Sequence, residues 1–92
     1  MIDPSRALPA FHADTLLFGL ACHPDGGTLA AAGADGTVRV WDVATGQVRG
    51  VWWGHGNNVF DVAYSPDGRT LASASWDGTV LLRDADTGRV LD

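Results

Sequence analysis

Short apolar runs alternate with turn sequences along the chain, and this pattern predicts strands rather than helices. In the second half, apolar runs at residues 58–64, 70–75 and 79–83 are separated by turn sequences at 65–68 and 77–78. Proline followed by Asp-Gly favours a tight turn, and Asp-Gly between two apolar runs is a strong hairpin signal. The sequence shows no apolar residues at helical spacing. We therefore predict an all-β chain.

The pattern occurs twice, at a constant spacing. Pro24 returns as Pro66 and Asp35 returns as Asp77, so both pairs are 42 residues apart. A period of roughly 40 to 45 residues with turns at fixed places indicates copies of one supersecondary unit, which bury their faces against each other. This spacing predicts strands in the first half at 16–22, 28–33, 37–41 and 47–53, with the segments 5–11 and 89–92 aligned to the last of them.

This spacing divides the chain into three parts. Residues 1–12 are predicted to form an N-terminal strand that completes a neighbouring sheet. Residues 13–54 form the first repeat, and residues 55–92 form the second repeat, whose last strand is short. Because one sheet cannot bury both of its faces, two repeats leave two outer faces exposed.

The composition excludes several classes of protein. Asp and Arg supply all of the side-chain charge, whereas Glu and Lys, which are good helix formers, are absent. The net charge is −5 and there is no basic run, so we expect no nucleic acid partner. No apolar run reaches the roughly 20 residues of a membrane span, so we expect no membrane partner. A single cysteine excludes an internal disulfide, and without a signal-peptide pattern we expect a cytoplasmic protein.

The motifs of the two repeats resemble the WD-repeat family of β-propellers. In the second repeat they stand in the family's order and spacing: Gly54-His55, then residues 62–68, residues 71–75 and Asp77-Gly78-Thr79-Val80. The first repeat ends in Trp41-Asp42, the pair that gives the family its name. The resemblance implies an all-β fold with two four-stranded antiparallel blades, incomplete as a single chain. Propellers usually have about 4 to 8 blades around a channel.

The resemblance also implies a polar network inside each blade, from Trp through Ser or Thr and His to the turn Asp. The second repeat has His55, Ser73 and Asp77 at these places, but Arg83 stands where Trp is expected. A buried polar network stabilises only when every member is satisfied, so we expect a less stable blade, with Arg83 reaching solvent or an acid. Ser73, His55 and Asp77 also have the composition of a hydrolase triad. Because no nucleophile elbow is present and the family buries these residues, we predict no catalysis.

The first repeat has two of the four members of this network. Asp35 and Trp41 are present, whereas Ala13 and Ala31 stand in the His and Ser places. His12 lies one residue before the place where the family has histidine. We therefore expect this blade, too, to be less stable than a complete one.

Candidate metal ligands do not form a recognised pattern. Two close pairs at short fixed spacing, as in zinc sites, do not occur among His12, Asp14, Cys22 and His23. We interpret Cys22, which aligns with Tyr64, as a buried thiol. Turn chemistry explains the aspartates that precede glycine without calcium. We expect neither a metal nor a cofactor.

Tryptophan side chains are the main candidates for partner binding, because Trp is enriched at binding hot spots. Trp76 directly precedes the Asp77-Gly78 hairpin, where the resemblance implies a face that meets partners. The predicted binding surface comprises Trp76, Asn57 and Asn58, with the first-repeat positions Asp14 and Ala34. Trp52 and Trp53 are adjacent on one strand and face opposite ways, so we expect at least one of them to pack between the blades, and which of the two is exposed stays open.

The sequence favours a non-catalytic scaffold for protein–protein interaction. Two alternatives stay open: the C-terminal sensor or regulatory propeller portion of a larger signalling protein, and a self-assembling structural ring subunit. A propeller enzyme with a ligand in its channel is less favoured, because Val59, Val62 and Ala63 on the inner strand are apolar. The expected partners are a protein of unknown identity and either another copy of the chain or further WD repeats that close the ring.

Overall fold

The structure, a computed structural model, describes residue 13 and residues 15–91. These residues form two antiparallel sheets, one with the strand order β1-β2-β3-β4 and one with the order β5-β6-β7. The strands are β1 (Leu17–Cys22), β2 (Thr28–Gly33), β3 (Val38–Asp42), β4 (Val48–Trp52), β5 (Val59–Tyr64), β6 (Thr70–Ser75) and β7 (Val80–Asp84). The all-β prediction is confirmed for the described residues. The predicted strand at 5–11 and the candidates His12 and Asp14 lie outside them.

The second sheet has three strands where a four-stranded blade is predicted. After β7, a single backbone bridge pairs Val90 with Arg83. The Leu91 amide also donates to the Leu82 carbonyl at 2.7 Å. The Asp84 amide donates to the Arg89 carbonyl at 2.8 Å. The segment thus lies beside β7 through one bridge and the two hydrogen bonds that flank it, without the longer ladder of a strand.

The two sheets pack against each other through small residues of the first sheet. Gly19 pairs with Ala32 and Ala32 pairs with Val38, so these three residues share one face of the sheet. That face points toward β5, because a Cβ atom at Gly19 would lie 3.0 Å from Asp61 Oδ1 and 3.1 Å from its Cα. The resulting core comprises Ala30, Ala32, Val38, Val40, Val59, Val62 and Leu71.

The two adjacent tryptophans differ in burial. Trp52 is half-buried, and its ring packs against the core and against Gly88 in the last turn of the second repeat. Trp53 is 66% exposed, so the expectation that at least one of the two tryptophans packs between the sheets is confirmed by Trp52. Successive residues at a strand end face opposite sides, and burying one ring therefore turns the other outward.

The first strand of each sheet carries a bulge at the same place. The register with the neighbouring strand shifts after the first residue of β1 and of β5, so Phe18 and Phe60 are the extra residues. A bulge leaves its extra residue unpaired in the ladder and redirects the side chain. Both phenylalanine rings are exposed as a result.

Candidate partner-binding rim

Three exposed aromatic side chains lie at one end of the two sheets, and we call Phe18, Phe60 and Trp76 the aromatic rim. Trp76 is 63% exposed and occupies the turn between β6 and β7. Its ring stacks with Phe18 of the first sheet at a centroid distance of 6.3 Å and an interplanar angle of 24°. The pair therefore connects the two sheets while leaving both rings accessible to a partner.

Backbone hydrogen bonds hold the loop beside Trp76. The Trp76 amide donates to the Asn58 carbonyl at 3.0 Å, and the Ser75 hydroxyl donates to the Asn57 carbonyl at 3.1 Å. The Asn58 amide donates to the side-chain oxygen of Asn57 at 2.7 Å. Asn57 is exposed and Asn58 is half-buried. Three predicted binding residues, Trp76, Asn57 and Asn58, are thus brought together on adjacent loops.

The first-repeat positions contribute less to this surface. Ala34 occupies the equivalent turn of the first sheet, is half-buried, and donates its amide to the Leu16 carbonyl at 2.8 Å. Its methyl group offers far less contact area than an indole ring. Asp14 lies outside the described residues. The sequence patterns do not predict Phe18 and Phe60, although two aromatic residues 42 positions apart on the first strand of each repeat were a usable signal.

Three polar side chains of the second repeat form a hydrogen-bonded chain next to the rim. His55 Nε2 lies 2.8 Å from Ser73 Oγ, and His55 Nδ1 lies 3.2 Å from Asp77 Oδ2. An ionised carboxylate only accepts, so Nδ1 donates to Asp77, and in the neutral imidazole Nε2 then accepts the proton of the Ser73 hydroxyl. This is the arrangement of a hydrolase triad, but Ser73 is only 1% exposed. The Ser73 hydroxyl oxygen is therefore closed to a substrate carbonyl, and the three side chains connect β6, the hairpin turn and the loop before β5.

Asp77 joins the hairpin turn to the loop that enters the second sheet. Its carboxylate accepts hydrogen bonds from the Thr79 hydroxyl, from the Thr79 amide at 2.8 Å and from the Gly56 amide at 2.9 Å. The Thr79 hydroxyl above all, and then the Gly56 amide, hold the pKa of Asp77 well below its usual range. The ionised side chain fixes the backbone directly before Asn57.

The first repeat binds its turn aspartate in another way. Asp35 Oδ1 accepts from the Thr37 hydroxyl at 2.6 Å and from the Thr37 amide at 3.1 Å. Its Oδ2 accepts from Arg39 Nη2 at 3.0 Å. Burial works to raise the pKa of Asp35, but the hydrogen bonds from Thr37 and Arg39 outweigh burial and lower it. Arg39 is thus a side-chain partner of the turn aspartate in the first repeat, as His55 is in the second, while Trp41 is fully buried in β3.

Arg83 occupies the place where the family has tryptophan, and it reaches neither solvent nor an acid. Its side chain is buried, and its guanidinium donates to the Gly88 carbonyl at 2.9 Å and to the Trp53 carbonyl. Burial lowers the pKa of Arg83. The expectation of a solvent or acid contact is wrong, because two backbone carbonyls that need donors lie within reach of this long side chain.

A cleft of about 170 Å³ lies between the sheets at the end opposite the rim, and Thr28, Arg49 and Trp52 contribute to its lining. His23 connects the two sheets beside it. His23 Nε2 donates to the Gly68 carbonyl at 2.9 Å, and His23 Nδ1 accepts from the Asp25 amide at 3.1 Å. Both ring nitrogens are thereby engaged in structural bonds, so histidine chemistry is not offered to a ligand in the cleft.

Among the described residues, no three His, Cys or Asp side chains lie close enough together to hold a metal ion. Cys22 is exposed, so its interpretation as a buried thiol is wrong. It lies on the face of β1 that points away from the second sheet, whereas its counterpart Tyr64 packs against the core. The described part of the chain also contains no helix that is long and apolar enough to cross a membrane.

The fold and the paired repeats define a class of protein, the propeller-type repeat proteins. The family described as "WD domain, G-beta repeat" matches residues 7–42 and 46–84. The chain therefore belongs to the WD-repeat family, and it contains two tandem repeats. Repeats of this family generally mediate protein–protein interaction and are typically non-catalytic.

Two solved structures illustrate the likeness in three dimensions. The computationally designed Ika4 protein is 28% identical with a TM-score of 0.81, and the match covers 92% of this chain and 51% of Ika4. U3-55K is 25% identical with a TM-score of 0.83, and the match covers 88% of this chain and 27% of U3-55K. The chain thus spans about half the length of the first and about a quarter of the second. No curated protein matched the chain in sequence.

Proposed function

We propose that this chain is a non-catalytic scaffold that binds a protein partner through the aromatic rim and the neighbouring Asn57. The stacked pair of Trp76 and Phe18 carries this proposal, because both rings remain exposed although they contact each other. Exposed aromatic residues held by packing lose little side-chain entropy on binding and are enriched at hot spots.

The chemistry of the rim indicates the kind of segment that it binds. Trp76, Phe18 and Phe60 offer ring faces to an apolar or aromatic side chain, and the exposed amide of Asn57 lies beside them for backbone hydrogen bonds. The net charge of −5 disfavours a strongly acidic partner. A peptide segment with one apolar anchor and no acidic cluster matches this surface.

Two observations support a role without catalysis. Ser73 is buried although its distances to His55 match those of a nucleophile and base, and Asp77 accepts bonds that fix a loop. A self-assembling role is a second candidate, and it is supported by the exposed outer faces of both sheets. The sensor role and the cytoplasmic location stay predictions.

The rim is tested with two tryptophan variants. Peptides that bind the wild-type chain are selected from a random phage-displayed library, and their Kd values are measured by calorimetry for the wild type, Trp76→Ala and Trp53→Ala. Trp53 is equally exposed but lies outside the rim, so it is the matched control. We expect Trp76→Ala to weaken binding at least about tenfold and Trp53→Ala to change it less than about twofold. Selected peptides that bind Trp76→Ala as tightly as the wild type would contradict the proposal.

A further inference from the structure

One face of the first sheet, which we call its front face, packs on the second sheet. Its residues are Gly19, Ala21, Ala30, Ala32, Val38 and Val40. The residues 42 positions later form the same face of the second sheet: Asp61, Ala63, Ala72, Ala74, Val80 and Leu82. Four of the six pairs are identical. In the described chain this second front face is uncovered, with Val80 64% exposed, and a groove of about 100 Å³ lies on it.

The opposite, or back, face shows the reverse distribution of burial. On the second sheet, Val59, Val62 and Leu71 are buried against the first sheet. Their counterparts in the first sheet are Leu17, Leu20 and Leu29. Leu20 is 63% exposed, whereas its counterpart Val62 is in the core. Residues 15–91 therefore present one front face and one back face that no other described residue covers, each of the kind that the internal junction buries.

We propose that the uncovered front face of one copy of this chain packs on the uncovered back face of a second copy, in the geometry of the internal junction. The partner is a second copy, because the front face of the second sheet repeats, nearly residue for residue, the front face of the first sheet that packs inside the chain. The internal junction is therefore a template for the contact between copies. The apolar counterparts Leu17, Leu20 and Leu29 keep the bulk that the template requires. This inference rests on the second candidate role, self-assembly, and the contact does not involve the aromatic rim, so its failure and a failure of rim binding are distinguishable.

Strands β1 and β5 provide an additional match between the two faces. Inside the chain, Gly19 of the front face lies directly against Asp61. In the contact between copies the order is reversed, and Asp61 of one copy lies against Gly19 of the next. Each junction then holds one aspartate and one glycine, so two carboxylates never meet there.

The proposed contact is head to tail. A front face pairs only with a back face, so two copies in contact still have one free face of each kind. Association therefore continues until a ring closes, and a ring built from two-repeat chains contains an even number of sheets.

The test uses one variant for each face. Leu82→Arg blocks the front face and Leu20→Arg blocks the back face, while each variant keeps the other face intact. Gln47→Arg is the matched control, because it adds the same charge on an exposed turn where Arg89 stands in the second repeat. Mass is measured by light scattering from low micromolar to millimolar chain concentration, and circular dichroism checks that each variant is folded.

We expect the wild type and Gln47→Arg to associate alike, and each blocked variant to need at least about a hundredfold higher concentration for half-association. Mixing the two blocked variants should give a discrete species of two chains, because one intact front face and one intact back face remain. A wild type that stays monomeric would overturn the proposal, and the two faces would then be assigned to contact with other repeats. A mixture that stays monomeric while the wild type associates would also overturn it.

A second measurement needs no substitution on either face. Cys22 is the single cysteine, is exposed in the isolated chain, and lies on the back face at the place of Tyr64. Its rate of modification by iodoacetamide should fall about tenfold as the chain concentration passes through the association range. A rate that is independent of concentration while the mass rises would contradict contact through the back face.

Discussion

The two repeats hold the same turn aspartate by different partners. The Asp35 carboxylate forms an ion pair with Arg39, which lies four residues later on the next strand. The Asp77 carboxylate accepts a hydrogen bond from His55, which lies in a loop 22 residues earlier. Neither repeat has the other's partner, because Ala13 and Leu81 stand in the corresponding places. The first contact closes a hairpin on itself, and the second connects a hairpin to the segment that joins the two sheets.

This difference separates local stabilisation from stabilisation between elements. The ion pair of Arg39 with Asp35 is partly exposed, so solvent screens much of its energy. The His55 side chain is fully buried and bonds to Ser73 and Asp77 at once. Removing His55 therefore leaves a buried hydroxyl without its acceptor, whereas removing Arg39 leaves a carboxylate that water can still reach.

The largest effect is expected when His55 is removed, and the removal of Arg39 is its comparison. His55→Ala should lower the free energy of unfolding by about 3 kcal/mol, because Ser73 loses its partner and a buried space opens. Arg39→Ala should lower it by less than about 1 kcal/mol. Urea unfolding followed by circular dichroism at one fixed chain concentration measures both. Equal losses in the two variants would show that the two contacts are equivalent.

A smaller effect is expected from the glycine that follows each aspartate. Gly36 and Gly78 have φ values of 85° and 88°, so alanine is strained at both. A Cβ atom at Gly36 would also lie 3.0 Å from the His55 carbonyl oxygen, whereas the space around Gly78 is open. Gly36→Ala should therefore cost about 2 kcal/mol and Gly78→Ala about 1 kcal/mol in the same unfolding experiment. A larger loss for Gly78→Ala would contradict the close approach of the His55 backbone to Gly36.

The smallest effect is the difference in acid sensitivity. The pKa values of Asp77 and Asp35 are both below 3.8 in the folded chain, so the unfolded chain binds protons more readily. Stability from these groups is present above pH 3.8 and is lost as the pH falls below it. Asp77→Asn should remove more of this acid dependence than Asp35→Asn, because the pKa of Asp77 is lowered further. Unfolding midpoints between about pH 5 and pH 2 test this ranking.

Much of the fold can be predicted from the sequence, because its signals are local. Asp-Gly between apolar runs predicts the hairpins, and both glycines adopt the positive φ that such turns need. His55 lies within hydrogen-bond distance of both Ser73 and Asp77, the residues that the family resemblance places in one network. The contacts of Arg83 and the exposure of Cys22 could not be predicted, because they depend on which backbone groups and which neighbouring sheet lie nearby.

The sequence by itself determined the strands, the turns and the 42-residue spacing, because apolar alternation and turn chemistry act over a few residues. Only the tertiary structure decided which faces are covered, since burial depends on a second sheet that sequence spacing does not position. The same dependence placed Arg83 beside two backbone carbonyls, left Trp53 exposed while Trp52 packs on the core, and brought Phe18 to Trp76 across the junction. These contacts form between elements distant in the chain or between side chains that compete for one neighbour, and packing settles them.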